Sequence, residues 1–231
     1  MTEMQISARD GGAFNAFVVM PHVTPAPAII VIQEIFGVNH VMRDLCQLYA
    51  ARGYIAICPD LFWRQEPGIQ ITDKTDAEWA RAFELYKGFD EALGVADLQS
   101  TLDAIRRHPD CNGNVGSVGY CLGGKLAYLM ATRTNADCNV SFYGVAIDAA
   151  LDEMSQISKP LLMHIAEKDQ FVSSEAQDQI RSAAGQNSNV EAHTYAGMDH
   201  AFARVGGAHF DKANADLANN RTDDFFSAHL K

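Results

Sequence analysis

The sequence predicts an α/β fold with a mainly parallel central sheet, helices on both faces and an opening hairpin at one edge of the sheet. From residue 28 onward, short apolar runs alternate with segments of helical periodicity. The first such run, Ala28–Gln33, is rich in β-branched residues, as strands buried on both faces of a parallel sheet are. Regular alternation of this kind gives an open sheet with right-handed crossovers.

The elements can be placed in order along the chain. Met4–Ala8 and Ala13–Met20 flank the turn Asp10-Gly11-Gly12 and form the hairpin. Gly53 and Gly88 interrupt the helical periodicity and end two helices. The remaining predicted elements are strand 28–33, helix 38–52, strand 54–58, a loop over 61–75, helices 76–87 and 90–107, strand 114–118, helix 122–133, strand 138–143, a short helix near 148–156, strand 160–165, helix 173–184, strand 190–195 and helix 209–229.

Length and charge limit the classes of function. The chain has 231 residues and no linker-like or low-complexity stretch, so we expect one domain over residues 1–231. A formal net charge of −11 argues against nucleic acid or an anionic membrane as a partner. No apolar run approaches membrane-spanning length, and the polar N-terminus lacks the layout of a secretory signal.

Cysteine usage indicates a reducing compartment. The cysteines are odd in number, scattered along the chain, and form no C-x-x-C pair. Cytoplasmic residence is therefore the default expectation. The five residues are Cys46, Cys58, Cys111, Cys121 and Cys138.

The most informative segment runs from Gly119 to Gly124 and reads GYCLGG. A buried strand that enters a helix through G-x-C-x-G has the pattern of a nucleophile elbow, with Cys121 in place of serine. Such a turn strains the backbone at the nucleophile and brings strand and helix so close that side chains at 119 and 123 would collide. The helix N-terminus then favours a thiolate. The alternative is that Cys121 is a small buried hydrophobic residue.

Two further residues follow the ends of later strands. Asp169 comes after strand 160–165 and His200 after strand 190–195. Because ligands bind at the carboxyl ends of parallel strands, both side chains are expected near Cys121. The order nucleophile, acid, histidine is that of α/β-hydrolases, in which histidine handles the proton and the carboxylate orients it. Glu167 is an alternative for the acid, and His164 is an alternative for the histidine.

Acyl transfer also needs donors for the oxyanion. The fold would supply the backbone N–H of Leu122 and one from the loop after strand 28–33, where Ile35 is the expected donor. Glu34 ends the same strand, and it either reaches Cys121 or is a solvated or helix-capping carboxylate. If it reaches Cys121, its charge disfavours the thiolate. We then hypothesise that an anionic substrate repositions Glu34 and lets the thiol ionise.

Four motifs together resemble the dienelactone hydrolase family nearly end to end. They are QEIFGVN at 33–39, CPDL at 58–61, GYCLGG at 119–124 and HAFAR at 200–204. The resemblance implies a single-domain α/β-hydrolase, monomeric and without metal or organic cofactor, that opens an unsaturated carboxylated lactone to maleylacetate in chloroaromatic breakdown. It assigns the triad roles to Cys121, His200 and Asp169 and places Glu34 beside the thiol.

The resemblance is less complete for the residues that would bind the substrate. Arg204 matches one of two family arginines that hold the substrate carboxylate. The other position falls on Trp79, and Arg81 lies two residues later, about 200° further round the helix. The candidate substrate-binding residues are therefore Arg204, Arg81, Trp79 and Phe36.

Three functions remain open at this point. The first is a hydrolase that opens an activated, carboxylated lactone or ester, and the second is a broad carboxylesterase that acts on neutral esters. Thiolates react readily with activated esters, which favours these substrates over peptides. The third is a thiol-based redox sensor on the same fold, against which the presence of Asp169 and His200 argues.

Overall fold

The computed structural model describes residues 2–231, which form an α/β fold with a mixed eight-stranded sheet and helices on both sides. The strands are β1 (Thr2–Ser7), β2 (Ala13–Val19), β3 (Ala26–Ile32), β4 (Ile55–Pro59), β5 (Cys111–Tyr120), β6 (Cys138–Phe142), β7 (Leu161–Ala166) and β8 (Val190–Tyr195). The helices are α1 (His40–Ala51), α2 (Asp76–Lys87), α3 (Glu91–Arg106), α4 (Leu122–Arg133), α5 (Ser174–Ala184) and α6 (Lys212–Leu230). The strand order is β1-β2-β4-β3-β5-β6-β7-β8.

The predicted fold class is confirmed; most element boundaries differ from the prediction by one or two residues, and three differences are larger or concern the type of helix. β5 begins at Cys111 rather than at residue 114, and the segment Ile147–Gln156 is a 3₁₀ helix. α6 begins at Lys212 rather than at residue 209, because the Asp211 side chain accepts a hydrogen bond from the Asn214 N–H and caps the helix there. Among residues 2–231, no helix is both long enough and apolar enough to cross a membrane.

The chain divides into two compact units, residues 1–117 and 118–231. In the first unit, β1 pairs antiparallel with β2, which pairs antiparallel with β4, and β3 runs parallel to β4. Every residue of β3 and β4 is buried, as expected for strands covered on both faces. The prediction of one domain over the whole chain stays a prediction.

A buried carboxylate fixes the loop after β4 to α3. Asp97 of α3 is fully buried and accepts hydrogen bonds from Trp63 Nε1 at 2.9 Å and from Arg64 Nη1 and Nη2. Arg64 also binds the Asp10 carboxylate of the hairpin turn at 2.6 Å. These carboxylates, Asp97 foremost, raise the pKa of Arg64 despite the opposing effect of its partial burial.

Replacing Asp97 by alanine is expected to lower the free energy of unfolding by about 3–5 kcal/mol, because Arg64 and the Trp63 indole would lose their buried acceptor. Urea denaturation measures the change. Asp103→Ala is the matched control, since Asp103 lies on the same helix in an exposed pair with Arg9 and its loss should cost much less. Equal losses in the two variants would contradict the prediction.

In the second unit, β6, β7 and β8 run parallel to one another. β7 is buried along its whole length, while β8 at the sheet edge is mostly half-exposed. The register between β7 and β8 places Ala166 opposite Tyr195, so that both strands end at the same level. The loops that carry Asp169 and His200 therefore leave the sheet side by side.

Candidate active site

Cys121 lies at a sharp turn between β5 and α4. Its backbone angles, φ 57° and ψ −115°, are rare for a residue other than glycine. The Cys121 N–H donates to the Phe142 carbonyl of β6, and the Cys121 carbonyl accepts from Gly124 and Lys125 in the first turn of α4. The strain is thus held by hydrogen bonds on both sides of the turn, and the partly exposed thiol lies at the helix N-terminus.

The glycines around Cys121 are required by backbone contacts. A Cβ atom at Gly119 would lie 1.8 Å from the Gly123 carbonyl oxygen. A Cβ atom at Gly124 would lie 2.4 Å from the Phe142 carbonyl oxygen and 2.8 Å from Gly144 Cα. No side chain fits in either place, so the sequence G-x-C-x-G-G is what allows β5, α4 and β6 to meet at the cysteine.

Asp169 and His200 form a buried pair. His200 Nδ1 lies 2.8 Å from Asp169 Oδ2 and 3.0 Å from Oδ1, and both side chains are less than 10% exposed. The Phe171 N–H donates to Asp169 Oδ1 at 2.9 Å and fixes the carboxylate. Cys121 also interacts with the imidazole, as one of the two neighbours that raise the pKa of His200. Because Nδ1 faces Asp169, Nε2 is the nitrogen left for the sulfur.

The charge of His200 is set by its two neighbours. Burial lowers the pKa of the imidazole, but Cys121 and Asp169 together outweigh this effect and raise the pKa to about 10. At neutral pH the ring is therefore an imidazolium, positioned between the sulfur and the carboxylate.

The raised pKa of His200 should appear in the pH dependence of stability. A pKa that is higher in the folded state, about 10 against 6.5 ordinarily, adds stability that is complete below pH 6.5 and lost as the pH rises to about 10. We expect the free energy of unfolding to fall over this window, and to fall less in His200→Gln. Urea denaturation at several pH values measures the slope. His193→Gln, which removes a histidine that forms an ion pair with the exposed Glu191 on β8, should keep the wild-type slope.

Two aromatic residues beside His200 were missed by the sequence analysis. Tyr143, at φ 38°, contacts the imidazole edge to face with ring centroids 5.1 Å apart. Phe171, which is 40% exposed, also contacts the imidazole edge to face, with ring centroids 4.8 Å apart. The sequence could have indicated both residues, because Tyr143 directly follows the strand β6 and Phe171 lies two residues beyond Asp169. Both rings limit how the imidazole can turn.

The alternatives considered for the acid and the histidine lie elsewhere. His164 is inside β7, where its ring nitrogens lie 2.7 Å from Tyr195 Oη and 3.0 Å from Thr222 Oγ1. Burial lowers its pKa well below the ordinary value. Glu167 accepts a hydrogen bond from the Gly197 N–H at 2.8 Å. The structure brings neither side chain into a hydrogen bond with His200.

The other predicted site residues are distributed as follows. Glu34, Ile35 and Phe36 follow β3 in the first unit and are all buried. Leu122 is the first residue of α4, so its N–H is one of the helix N-terminal groups without an intrahelical acceptor. Arg204 is half-buried in the loop after His200. The roles predicted for these residues, including the contact of Glu34 with the thiol, stay predictions.

Trp79 and Arg81 diverge on α2. The Trp79 ring contacts Phe36 edge to face at 5.1 Å and stacks on Phe83 at 5.6 Å. Arg81 is instead held at 2.5 Å by both Glu66 and Glu84. Trp79 and Phe36 therefore contact each other, whereas Arg81 is engaged in ion pairs with Glu66 and Glu84.

Metal-ligating side chains do not cluster in the described chain. Over residues 2–231, no group of three or more His, Cys, Asp and Glu side chains is arranged to hold a metal ion.

Comparison with known proteins agrees with the geometry. The sequence model of the dienelactone hydrolase family matches residues 14–230. A protein of Azospirillum brasilense provisionally named a carboxymethylenebutenolidase is 52% identical over 100% of both chains. The carboxymethylenebutenolidase of Pseudomonas putida is 38% identical over 97% of this chain and 95% of its own. A crystal structure from Klebsiella pneumoniae, provisionally described as a dienelactone hydrolase, superposes with a TM-score of 0.85 at 27% identity, covering 98% and 97% of the two chains. The chain therefore belongs to the dienelactone hydrolase family of hydrolases.

Proposed function

We propose that the protein hydrolyses activated lactones and esters through a thioester on Cys121, with dienelactone, opened to maleylacetate, as the expected substrate. The observation that carries the proposal is the buried Asp169–His200 pair, whose imidazole also interacts with Cys121, with the cysteine on a strained turn at a helix N-terminus. The names of the relatives support the substrate class, since carboxymethylenebutenolidases are among them.

The first half of the reaction forms the thioester. The Cys121 thiolate adds to the substrate carbonyl, and the negative oxygen that develops is stabilised by the Leu122 N–H. The carbon–oxygen bond of the ring then breaks. In an unsaturated lactone the leaving oxygen is an enolate, which departs with little help, whereas an alkoxide would need a proton from His200. The opened chain stays attached to sulfur.

The second half releases the product. The released enolate takes the Nε2 proton of the His200 imidazolium and becomes an enol, so that the neutral Nε2 can act as the base for a water molecule that attacks the thioester carbonyl. Asp169 stabilises the imidazolium that forms. Cys121 leaves as a thiolate, and the enol product tautomerises to the ketone. The net change is addition of one water across the ester bond.

The proposal is tested by turnover of dienelactone, followed by rapid quenching and intact-mass measurement. We expect maleylacetate as the product and a mass increase of one substrate molecule on Cys121 at early times. A burst of alcohol release from an activated aryl ester is expected as well. Absence of both adduct and burst, together with reversible peroxide oxidation of Cys121, would instead support the redox sensor considered above.

A second candidate, hydrolysis of neutral esters, is supported by the contacts on α2. Trp79 packs against Phe36 and Phe83, while Glu66 and Glu84 neutralise Arg81. A carboxylated substrate would find an aromatic surface there instead of a cation. An uncharged or aromatic acyl group gains by burying its apolar area against these rings.

The two candidates differ in a competition between substrates. The ratio of kcat/KM for dienelactone to kcat/KM for a neutral aryl acetate is measured in the wild type and in Trp79→Arg. If neutral esters are the substrates, the wild type prefers the acetate and the variant shifts the ratio towards dienelactone. Leu48→Arg, at an exposed apolar position on α1, is the matched control for an added positive charge. A wild-type preference for dienelactone that Trp79→Arg leaves unchanged would exclude the second candidate.

A further inference from the structure

The two loops that carry Asp169 and His200 are joined to each other by carboxylates. Glu167, two residues before Asp169, accepts from the Gly197 N–H of the other loop at 2.8 Å. Asp199, directly before His200, accepts from the Gln170 N–H at 3.1 Å. Each loop thus contributes one carboxylate that binds a backbone N–H of the other.

Further hydrogen bonds extend the connection. The Lys168 N–H donates to the Met198 carbonyl at 2.7 Å, between the two carboxylate contacts. Asp199 Oδ1 also accepts from the His200 N–H at 2.6 Å. Gln177 of α5 is buried and donates to the Glu167 and Val172 carbonyls, which fixes the first loop to the helix behind it.

We propose that Glu167 and Asp199 are positioning residues, which hold the His200 imidazole against the Asp169 carboxylate by cross-linking the two loops. Neither side chain touches the imidazole, and Glu167 is exposed to solvent. Glu167 and Asp199 act on the distance between His200 and Asp169. A shift of one loop by about 1 Å would lengthen the 2.8 Å contact between His200 Nδ1 and Asp169 Oδ2 beyond hydrogen-bond range. The proposal rests on the proposed function only for its kinetic consequences.

The contacts are backbone hydrogen bonds to oxygen, so an amide should replace each carboxylate but alanine should not. Glu167→Ala combined with Asp199→Ala is expected to lower kcat by about 100-fold with little change in KM, since misplacing a reacting group by 1 Å costs on this order. Glu167→Gln with Asp199→Asn should restore kcat to within a few-fold of the wild type. Glu191→Ala, an exposed carboxylate on β8, is the control for loss of charge.

A spectroscopic measurement tests the positioning without any substrate. The Nδ1 proton of His200, hydrogen-bonded to Asp169, should give a far-downfield proton resonance in the wild type and the amide variant that is lost in the alanine variant. Hydrogen exchange of Gly197 and Gln170 in the wild type should be slow. The exchange measurement uses only the wild type, so it remains decisive if the alanine variant does not fold.

The outcomes separate the inference from the proposed function. If the wild type hydrolyses no ester, the proposed function fails, and the resonance and exchange rates still decide the role of Glu167 and Asp199. Unchanged kcat and resonance in the folded alanine variant would overturn the inference. So would equal losses in the alanine and amide variants, or rapid exchange of both N–H groups in the wild type.

Discussion

Replacing Cys121 by alanine is expected to lower kcat/KM for an activated ester by a factor on the order of 10⁴ to 10⁶, because no other group can form the acyl intermediate. Cys121→Ser should be almost as inactive, although serine keeps the size of the side chain. Serine removes the neighbour that contributes most to the raised pKa of His200, and a hydroxyl is a much weaker acid and nucleophile than a thiol. Steady-state hydrolysis of an aryl ester measures both effects.

Cys111→Ala is the matched control for the cysteine variants. Cys111 is also a partly exposed cysteine, but it lies at the start of β5 rather than at its end. This variant should keep wild-type kcat/KM and should still gain the acyl mass. Activity of Cys121→Ala within tenfold of the wild type would contradict the assignment of the nucleophile.

Asp169→Asn is expected to lower kcat by a factor of about 10⁴, as loss of the orienting carboxylate does in other triads. An amide has nearly the same shape and can still accept from the Phe171 N–H, so the fold should be retained. It cannot stabilise the imidazolium, and the pKa of His200 should therefore fall from about 10. The pH dependence of kcat/KM should move its basic limb to lower pH in the variant.

The measurement for Asp169→Asn is a profile of kcat/KM between pH 5 and about 11, with circular dichroism to check the fold. Glu167→Gln is the informative comparison, because Glu167 is the acid that sequence alone left open. Glu167→Gln should retain activity, and its kcat/KM should fall at high pH as that of the wild type does. A large loss in Glu167→Gln with a small loss in Asp169→Asn would exchange the two assignments.

The fold was predictable because its signals are local. The alternation of apolar runs with helical periodicity depends on neighbouring residues, and β3 and β4 are indeed fully buried strands. The errors arose where a cap or a hydrogen-bond pattern decides the boundary. α6 begins only after Asp211, whose side chain caps the helix. Ile147–Gln156 takes the 3₁₀ form, which the periodicity of the sequence does not distinguish from an α-helix.

The candidate site was predictable in its polar residues and not in its surroundings. Cys121, Asp169 and His200 stand at strand ends, where the topology alone brings side chains together. Tyr143 and Phe171 escaped notice because an aromatic residue after a strand is common, and only the folded chain shows which ring contacts the imidazole. Arg81 has the right charge for a substrate carboxylate, but its pairing with Glu66 spans fifteen residues and has no sequence signature.

Because β7 and β8 end at the same level of the sheet, the lengths of the loops that follow them decide whether Asp169 and His200 can meet. With Ala166 opposite Tyr195, three residues lead to Asp169 and five to His200. One inserted residue would displace either side chain by up to about 3.8 Å, more than a hydrogen bond tolerates. Natural or engineered variants should therefore tolerate no insertion between Ala166 and Asp169 or between Tyr195 and His200. Insertions that alter substrate preference would have to lie outside these two segments, leaving the count from sheet to catalytic atom unchanged.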